Sequence, residues 1–466
     1  MIRSRAFRPL RAFTRARYVV ALLVLTLSSC NGPFDAPNQN AGTLQDLTGT
    51  PTRVGVLTAT QGLLTLSRLS FGFNALTLGI FGREGYNLDV SNPQNIPNYY
   101  TVLGDLTAGV WTNAYRTFEQ ANLVTGALDR VIDMTAAERE GVRGFAQTMK
   151  ALNLLYVIRG TDSSGAVLEV LTDPTAPPPN IVTKGQVYAR IFQLLDSAQT
   201  HLQNAGSAFA FRLGGGFAGF STPTGFLKFN RALRARLDVE TGDYVTALTD
   251  LAGSFVDTTA AFSLGIYYTF STASGDAQNT LYDPTARQLY AHASYATDAQ
   301  LQAGGAKDNR FVTKIRAIPA FTRYGFSVAW TFQRYNSPSD PVPIIRNEEL
   351  ILLRAEANVG LGNTAAAIAD INVVRTKSGL LPPITNPYVP VGTQPPTLLD
   401  ELLYEKRYSL VWENGDRWVD LRHYSKLATL PKDRTGDLIF PYLRIPVNEC
   451  KPRTPAPWGC AAATGL

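Results

Sequence analysis

The chain has three histidines, His201, His292 and His423, and this sets a first limit on its chemistry. None lies at metal-ligand spacing from another, and no His-Glu-x-x-His occurs, so no metal site and no cofactor are expected. Asp420 and His423 share a helical face and read as a structural pairing. No Gly-x-Ser-x-Gly elbow for a nucleophilic serine is present. Gly214 to Gly219 matches Gly-x-Gly-x-x-Gly, but no long apolar strand precedes it and no βαβ alternation surrounds it, so it reads as a flexible loop. Carboxylate pairs such as Glu348 with Glu349, or Asp416 with Asp420, are what any chain this long contains. They do not make a glycosidase couple.

Aromatic side chains are the more informative chemistry. A sugar ring offers apolar C–H faces and many hydroxyls; aromatic rings match the faces, and Asp, Asn and Arg match the hydroxyls. Residues 81–100 bring together Phe81, Arg83, Tyr86, Asn87, Asp89, Tyr99 and Tyr100, with Pro93 and Pro97 arguing against regular structure. A second group is Tyr324, Trp330, Phe332 and Tyr335. The expected ligand contacts are Arg83, Tyr86, Asn87, Asp89, Tyr99, Tyr100, Tyr324 and Trp330. The competing reading of each aromatic is a core or interface ring. Trp111 and Trp418 sit on helical faces and read as core.

The N-terminus carries a third kind of chemistry. Arg3, Arg5, Arg8, Arg11, Arg15 and Arg17 precede a short apolar run, Tyr18 to Leu27, about half the roughly 20 residues a membrane-spanning helix needs. After Leu27 no apolar run is read as approaching that length. Basic, apolar and then small residues read as a secretory signal peptide over 1–29. Leu27-Ser28-Ser29-Cys30 resembles the bacterial lipobox, which implies lipid on Cys30. The leader takes six arginines with it, so the net charge of +6 falls to zero and no basic excess remains for nucleic acid. In an oxidising compartment Cys450 and Cys460 are then either a disulfide or two free thiols.

These groups need elements to hold them. Residues 31–50 are polar, rich in Gly and Pro, and read as part of a tether over 30–50. Helical periodicity predicts helices over 61–78, 104–132, 136–159 and 184–204, the third opened by a Thr135–Glu138 capping box. Pro174 to Pro179 is a loop. Residues 233–251 align without gaps on 353–371, with seven of 19 positions identical. Each stretch reads as helix, Gly turn, helix, in the manner of tetratricopeptide-type pairs; two unrelated hairpins built from common helix formers are the competing reading. Residues 255–345 between them are rich in Tyr, Phe, Ser, Thr and Gly and read as an irregular insertion with few short strands, such as Phe311 to Ile315.

Several segments, in order, resemble a known family. They are Trp111 to Asn122, Phe226 to Arg236, Asn347 to Ala357, Ala367 to Gly379, Glu405 to Arg422 and Phe440 to Glu449. Together they resemble the SusD/RagB family of nutrient-uptake outer-membrane lipoproteins, with Ser409 standing where the family usually has an acid. The resemblance implies a mainly α fold, a SusD-like domain over 51–466 with tetratricopeptide-like helix pairs. Hairpins fall near 104–159, 226–251 and 347–379, the insertion over 255–345 faces ligand, and the C-terminal family segments lie within 398–449. It implies that Glu356, Asn372, Arg375, Glu405, Arg407, Glu413, Arg417, Asp420 and Arg422 carry the motif. Glu413 and Arg417 read as an i, i+4 pair on one helix, inside a structural network rather than a binding site.

The resemblance further implies a surface-exposed outer-membrane protein without enzymatic activity. It would capture an oligomeric nutrient, a glycan first, and deliver it to a SusC-like TonB-dependent transporter. A lipid-anchored surface glycoside hydrolase and a tetratricopeptide-type outer-membrane assembly scaffold are the alternatives.

Overall fold

The structure is a computed structural model that describes residues 47–171, 175–461 and 465. The leader, Cys30 and most of the tether lie outside these residues. Leu44–Leu466 forms one unit.

Helix α1 (Arg53–Phe73) starts where the Thr52 hydroxyl accepts from the Gly55 N–H at 3.1 Å. It runs on through a π-helical turn, Asn74–Leu78, into Gly79–Phe81. By length and composition the segment Arg53–Phe81 could cross a membrane, contrary to the expectation that no apolar run after Leu27 approaches that length. Threonines, serines and glycines break the run without breaking the helix. Val56, Leu63 and Phe71 are buried, and α1 packs on α2 (Ala108–Ala127) and α3 (Ala136–Thr161) as a core helix does.

The capping box of α3 is present on both sides, Thr135 and Glu138 exchanging hydrogen bonds. Successive helices then pack pairwise: α3 on α4 (Lys184–Gln203), α4 on α5 (Pro223–Thr241), α5 on α6 (Tyr244–Ala252), α6 on α7 (Asn347–Gly360) and α7 on α8 (Thr364–Lys377). The internal echo is structural. Its two glycines, Gly242 and Gly362, turn the chain at φ 81° and 75°. The arginine and aspartate common to both copies face each other across each hairpin: Arg234–Asp250 at 3.9 Å and Arg354–Asp370 at 2.6 Å. The copies also touch, since a Cβ on Gly360 would stand 2.2 Å from the Tyr244 ring.

Between α6 and α7 the strands form three antiparallel pairs with β1 (Gly85–Asn87). β1 pairs with β3 (Leu289–Ala291), β2 (Gly265–Tyr268) with β6 (Val342–Arg346), and β4 (Ile315–Arg323) with β5 (Phe326–Phe332). The expected strand at Phe311 is instead the helix Asn309–Lys314, and the strand begins at Ile315. Asp308 decides this by capping the Arg310 N–H at 2.8 Å and pairing with the Arg310 guanidinium at 2.5 Å. Helices α9 (Leu398–Ser409) and α10 (Asp416–His423) complete the body.

The glycine-rich segment 214–219 is seated against a strand. A Cβ on Gly216 would lie 2.0 Å from the Tyr267 carbonyl oxygen, so glycine there allows backbone to meet backbone. Cys450 and Cys460 are bonded, with Cα atoms 5.8 Å apart.

Candidate functional site

The β4–β5 hairpin turns in two residues, because Arg323 pairs directly with Phe326. Both turn residues take positive φ, Tyr324 at 52° and Gly325 at 82°. Such turns select Asn-Gly or Gly-Gly, since a side chain in the left-handed region costs about 1 kcal/mol. A tyrosine at the first position goes against that preference. Its backbone is held there by Arg434, whose Nη1 donates to the Tyr324 carbonyl at 2.8 Å. The residue is 36% exposed. Strain of this kind, kept in place by a neighbouring side chain, is characteristic of functional positions.

The expected loop aromatics explain how the hairpin is held rather than what it touches. Tyr86, Tyr99 and Tyr100 are buried, and so is Arg83. The Phe326 ring, just past the turn, sits 4.9 Å from Tyr86 and 4.8 Å from Tyr100, with the Arg434 guanidinium 4.0 Å from its centre. Arg83 stacks on Tyr100 at 4.5 Å and donates to the carbonyls of Ile80 and Leu438. Tyr86 and Tyr100 therefore line a socket for the hairpin, Arg83 and Tyr99 pack against Tyr100, and none of the four is accessible to ligand. The expectation fails because the composition of a sugar platform and of an aromatic core is the same; only burial separates them.

Asn87 and Asp89 lie nearer the surface. Asn87 is the last residue of β1, half-buried. Asp89 accepts from the Ser91 N–H and hydroxyl at 2.9 and 2.7 Å, which holds its carboxyl below the usual range. Arg323 ties this loop to the hairpin, donating to the carbonyls of Leu88 and Arg287 at 3.2 and 3.0 Å. Trp330 lies six residues along from Tyr324, about 20 Å at strand rise. It packs edge-on to Phe311 at 5.2 Å, so it does not share a site with the turn.

The motif residues are largely paired inside. Lys406 Nζ reaches Glu356 at 2.7 Å and Asp420 at 2.6 Å. Arg375 reaches Glu401 at 2.6 Å and Glu405 at 3.0 Å, and Glu405 also meets Arg310. Asn372 exchanges two hydrogen bonds with the Ile384 backbone. Arg407 pairs with Asp298 at 2.7 Å, and Arg422 with Asp162 at 3.0 Å. The expected helical pair of Glu413 and Arg417 does not form. The helix ends at Ser409, Glu413 lies in a turn, and Gly415 at φ 67° restarts the chain as α10. Glu413 instead accepts from Arg346 at 2.9 Å and Arg334 at 3.0 Å. Burial raises its pKa, but the two arginines outweigh that and leave its carboxyl below the usual range. Ser409 bridges this network, donating to Glu348 at 2.8 Å and accepting from Arg310 at 3.1 Å. Asp420 and His423 do not pair with each other: Asp420 meets Lys406, and His423 meets the Tyr244 hydroxyl at 3.3 Å.

Sequence reading passed over two further features. His292 lies between Ser294, 2.7 Å from Nδ1, and Asp433, 3.1 Å from Nε2. Its members are those of a nucleophilic triad, yet the Nδ1 lone pair is shared with the Ser294 N–H at 3.0 Å. Burial also holds the imidazole below its usual value, against Asp433. With Tyr86 donating to Asp433 at 3.2 Å, the chain reads as bracing for the socket. The second feature is Trp458, 52% exposed inside the disulfide loop, beside a cleft of about 610 Å³ that Asn180, Gln186 and Arg453 also line. A tryptophan among prolines between two cysteines was the available signal for it.

Comparison with known proteins supplies context. Residues 278–438 match the model of the SusD family. Among solved structures, a SusD superfamily protein from Bacteroides vulgatus is 14% identical, with a TM-score of 0.66 over 87% of this chain and 98% of that one. The NanU protein of B. fragilis is 16% identical, with a TM-score of 0.66 over 91% of this chain and 98% of that one. A laminarin-binding SusD-like protein is 16% identical, with a TM-score of 0.60 over 84% and 97%. No curated protein matches in sequence.

Proposed function

We infer, from the match of residues 278–438 to the SusD family model and the likeness of the fold to SusD-like structures, that this chain is a non-catalytic receptor that captures an oligomeric glycan and passes it to a SusC-like TonB-dependent barrel. Lipid on Cys30 would anchor it to the outer membrane, with the body exposed at the cell surface. The observation that carries the binding role is Tyr324, an exposed ring fixed at a hairpin tip in a backbone conformation that tyrosine resists. Asn87 and Asp89 are proposed as polar contacts on the loop that Arg323 ties to the same hairpin. The fold neighbour named for laminarin binding supports glycan as the ligand class.

Titration calorimetry with laminarin oligosaccharides and related neutral glycans tests this reading on the wild type and on Tyr324→Asn. Asparagine suits the left-handed turn and removes the ring. The expected result is at least a tenfold loss of affinity, about 1.4 kcal/mol, with a melting temperature unchanged or raised. Equal affinity in both proteins would reject the site. Hydrolysis of the polysaccharide by the purified chain would replace the receptor with a surface hydrolase.

A further inference from the structure

A cleft of about 600 Å³ opens beside α9, α10 and the loop around Thr393, within the range of small-ligand sites. Part of its wall is apolar, from Pro395, Pro396, Leu403 and Leu421. The rest is charged, and each carboxylate there already has a cation. Asp298 is met by Arg407 at 2.7 Å, Asp400 by Lys426 at 2.9 Å and Asp420 by Lys406 at 2.6 Å.

Arg417 stands on the same wall and forms no ion pair among the described residues. It donates from Nη1 to the Arg83 carbonyl at 2.9 Å, one of the five N–H donors a guanidinium carries. Burial, and after it the like charge of Arg407, hold it below its usual value, at about 10. The nearby acid Glu84 does not balance it. Burial pushes the Glu84 carboxyl up to about 8, and its oxygen accepts the Trp412 N–H at 2.8 Å. A half-buried guanidinium with no ion-pair partner among the described residues keeps donors open, with only the more distant Glu84 and Asp298 charges acting on it, and a guest carboxylate would engage those donors through its forked geometry.

We propose that this cleft is a subsite for an acidic sugar unit, with Arg417 as counter-ion to its carboxylate and Pro395, Pro396 and Leu403 against its ring. The proposal rests on the glycan-receptor reading and adds a charge requirement at a place apart from Tyr324. It separates Arg417 from the other motif residues, whose charges are met inside the fold.

The test is titration calorimetry on the full chain with galacturonate, glucuronate and mannuronate disaccharides and with the methyl ester of each. The ester keeps the ring and removes the charge. At least one acid should bind, with its ester at least tenfold weaker. Arg417→Met should erase that difference and Arg417→Lys should keep part of it. Wild-type melting should rise with the acid and not with the ester, a readout that stands even if a variant folds poorly. The proposal is overturned if no acid binds, if acid and ester bind alike, or if Arg417→Met keeps the preference. Neutral-glycan binding lost in Tyr324→Asn without any acid binding would sink the cleft and leave the receptor reading standing. Acid binding that depends on Arg417, with neutral glycans indifferent to Tyr324, would keep the cleft and reject Tyr324 as a binding site.

Discussion

At the scale of single residues, the chain places charge where burial works against it, and pH exposes this. Glu84 is buried, and its carboxyl is pushed up to about 8 against an ordinary 4.5. A folded-state value above the unfolded one means that the folded protein holds the extra proton between those two pH values. The associated stability is complete below about 4.5, falls as pH rises, and is gone above about 8. Each unit is worth about 1.4 kcal/mol at most. Glu84→Gln should therefore match the wild type near pH 4 and be more stable at pH 8.5, as denaturant melts at the two pH values would show. A constant difference across that range would contradict the assignment. The same scale shows what sequence could not supply. Arg83, Tyr86, Tyr99 and Tyr100 were legible as a cluster, but the sign of their exposure was not. Inward and outward aromatics have one composition, and Phe326, which packs on Tyr86 and Tyr100, lies more than 200 residues away.

At the scale of elements, periodicity was informative wherever a helix was long. The capping box at Thr135, the helices around 104–159 and the two echoed hairpins could all be read because several turns of one face repeat. Short elements defeated the same reasoning. Asn309–Lys314 is too brief for a period of 3.6 to be told from 2, and the Asp308 cap settled it. The turn that parts Glu413 from Arg417 depends on Gly415 at positive φ within an otherwise helical pattern. The echo also yields a prediction about how its copies meet. Gly360 ends the first helix of the second hairpin, directly beneath the Tyr244 ring of the first. Gly360→Ala would usually favour a helix, by about 1 kcal/mol. Here the added methyl must displace a ring that also bonds to His423 and Tyr424. Overpacking of that kind costs about 1–3 kcal/mol. Thermal melts should show Gly360→Ala destabilised and Gly360→Ala with Tyr244→Leu largely restored. A stabilised single variant would mean that the two hairpins do not pack as described.

At the scale of the whole molecule, charge and anchoring make one argument. The full chain carries 43 basic and 37 acidic residues, and all six basic residues of the first 29 are arginines. Cleavage before Cys30 would leave a neutral body, which suits the proposed role of binding sugar and docking on a barrel rather than adhering to polyanions. The two states differ in a measurable way. In cells fed labelled palmitate, the wild type should take up label, lose about 29 residues and migrate with the membrane fraction. Cys30→Ala should stay unlabelled and keep its leader, and its intact mass should be close to the full 50.7 kDa. Isoelectric focusing of the two should separate a near-neutral mature form from a precursor focusing near pH 9.1. A Cys30→Ala protein that is still trimmed and neutral would mark an ordinary secretory leader and remove the anchor. It would not touch Tyr324 or Arg417, because both sites are built entirely within Leu44–Leu466. The proposed capture sites and the proposed anchor are thus separable, and each can fail without the other.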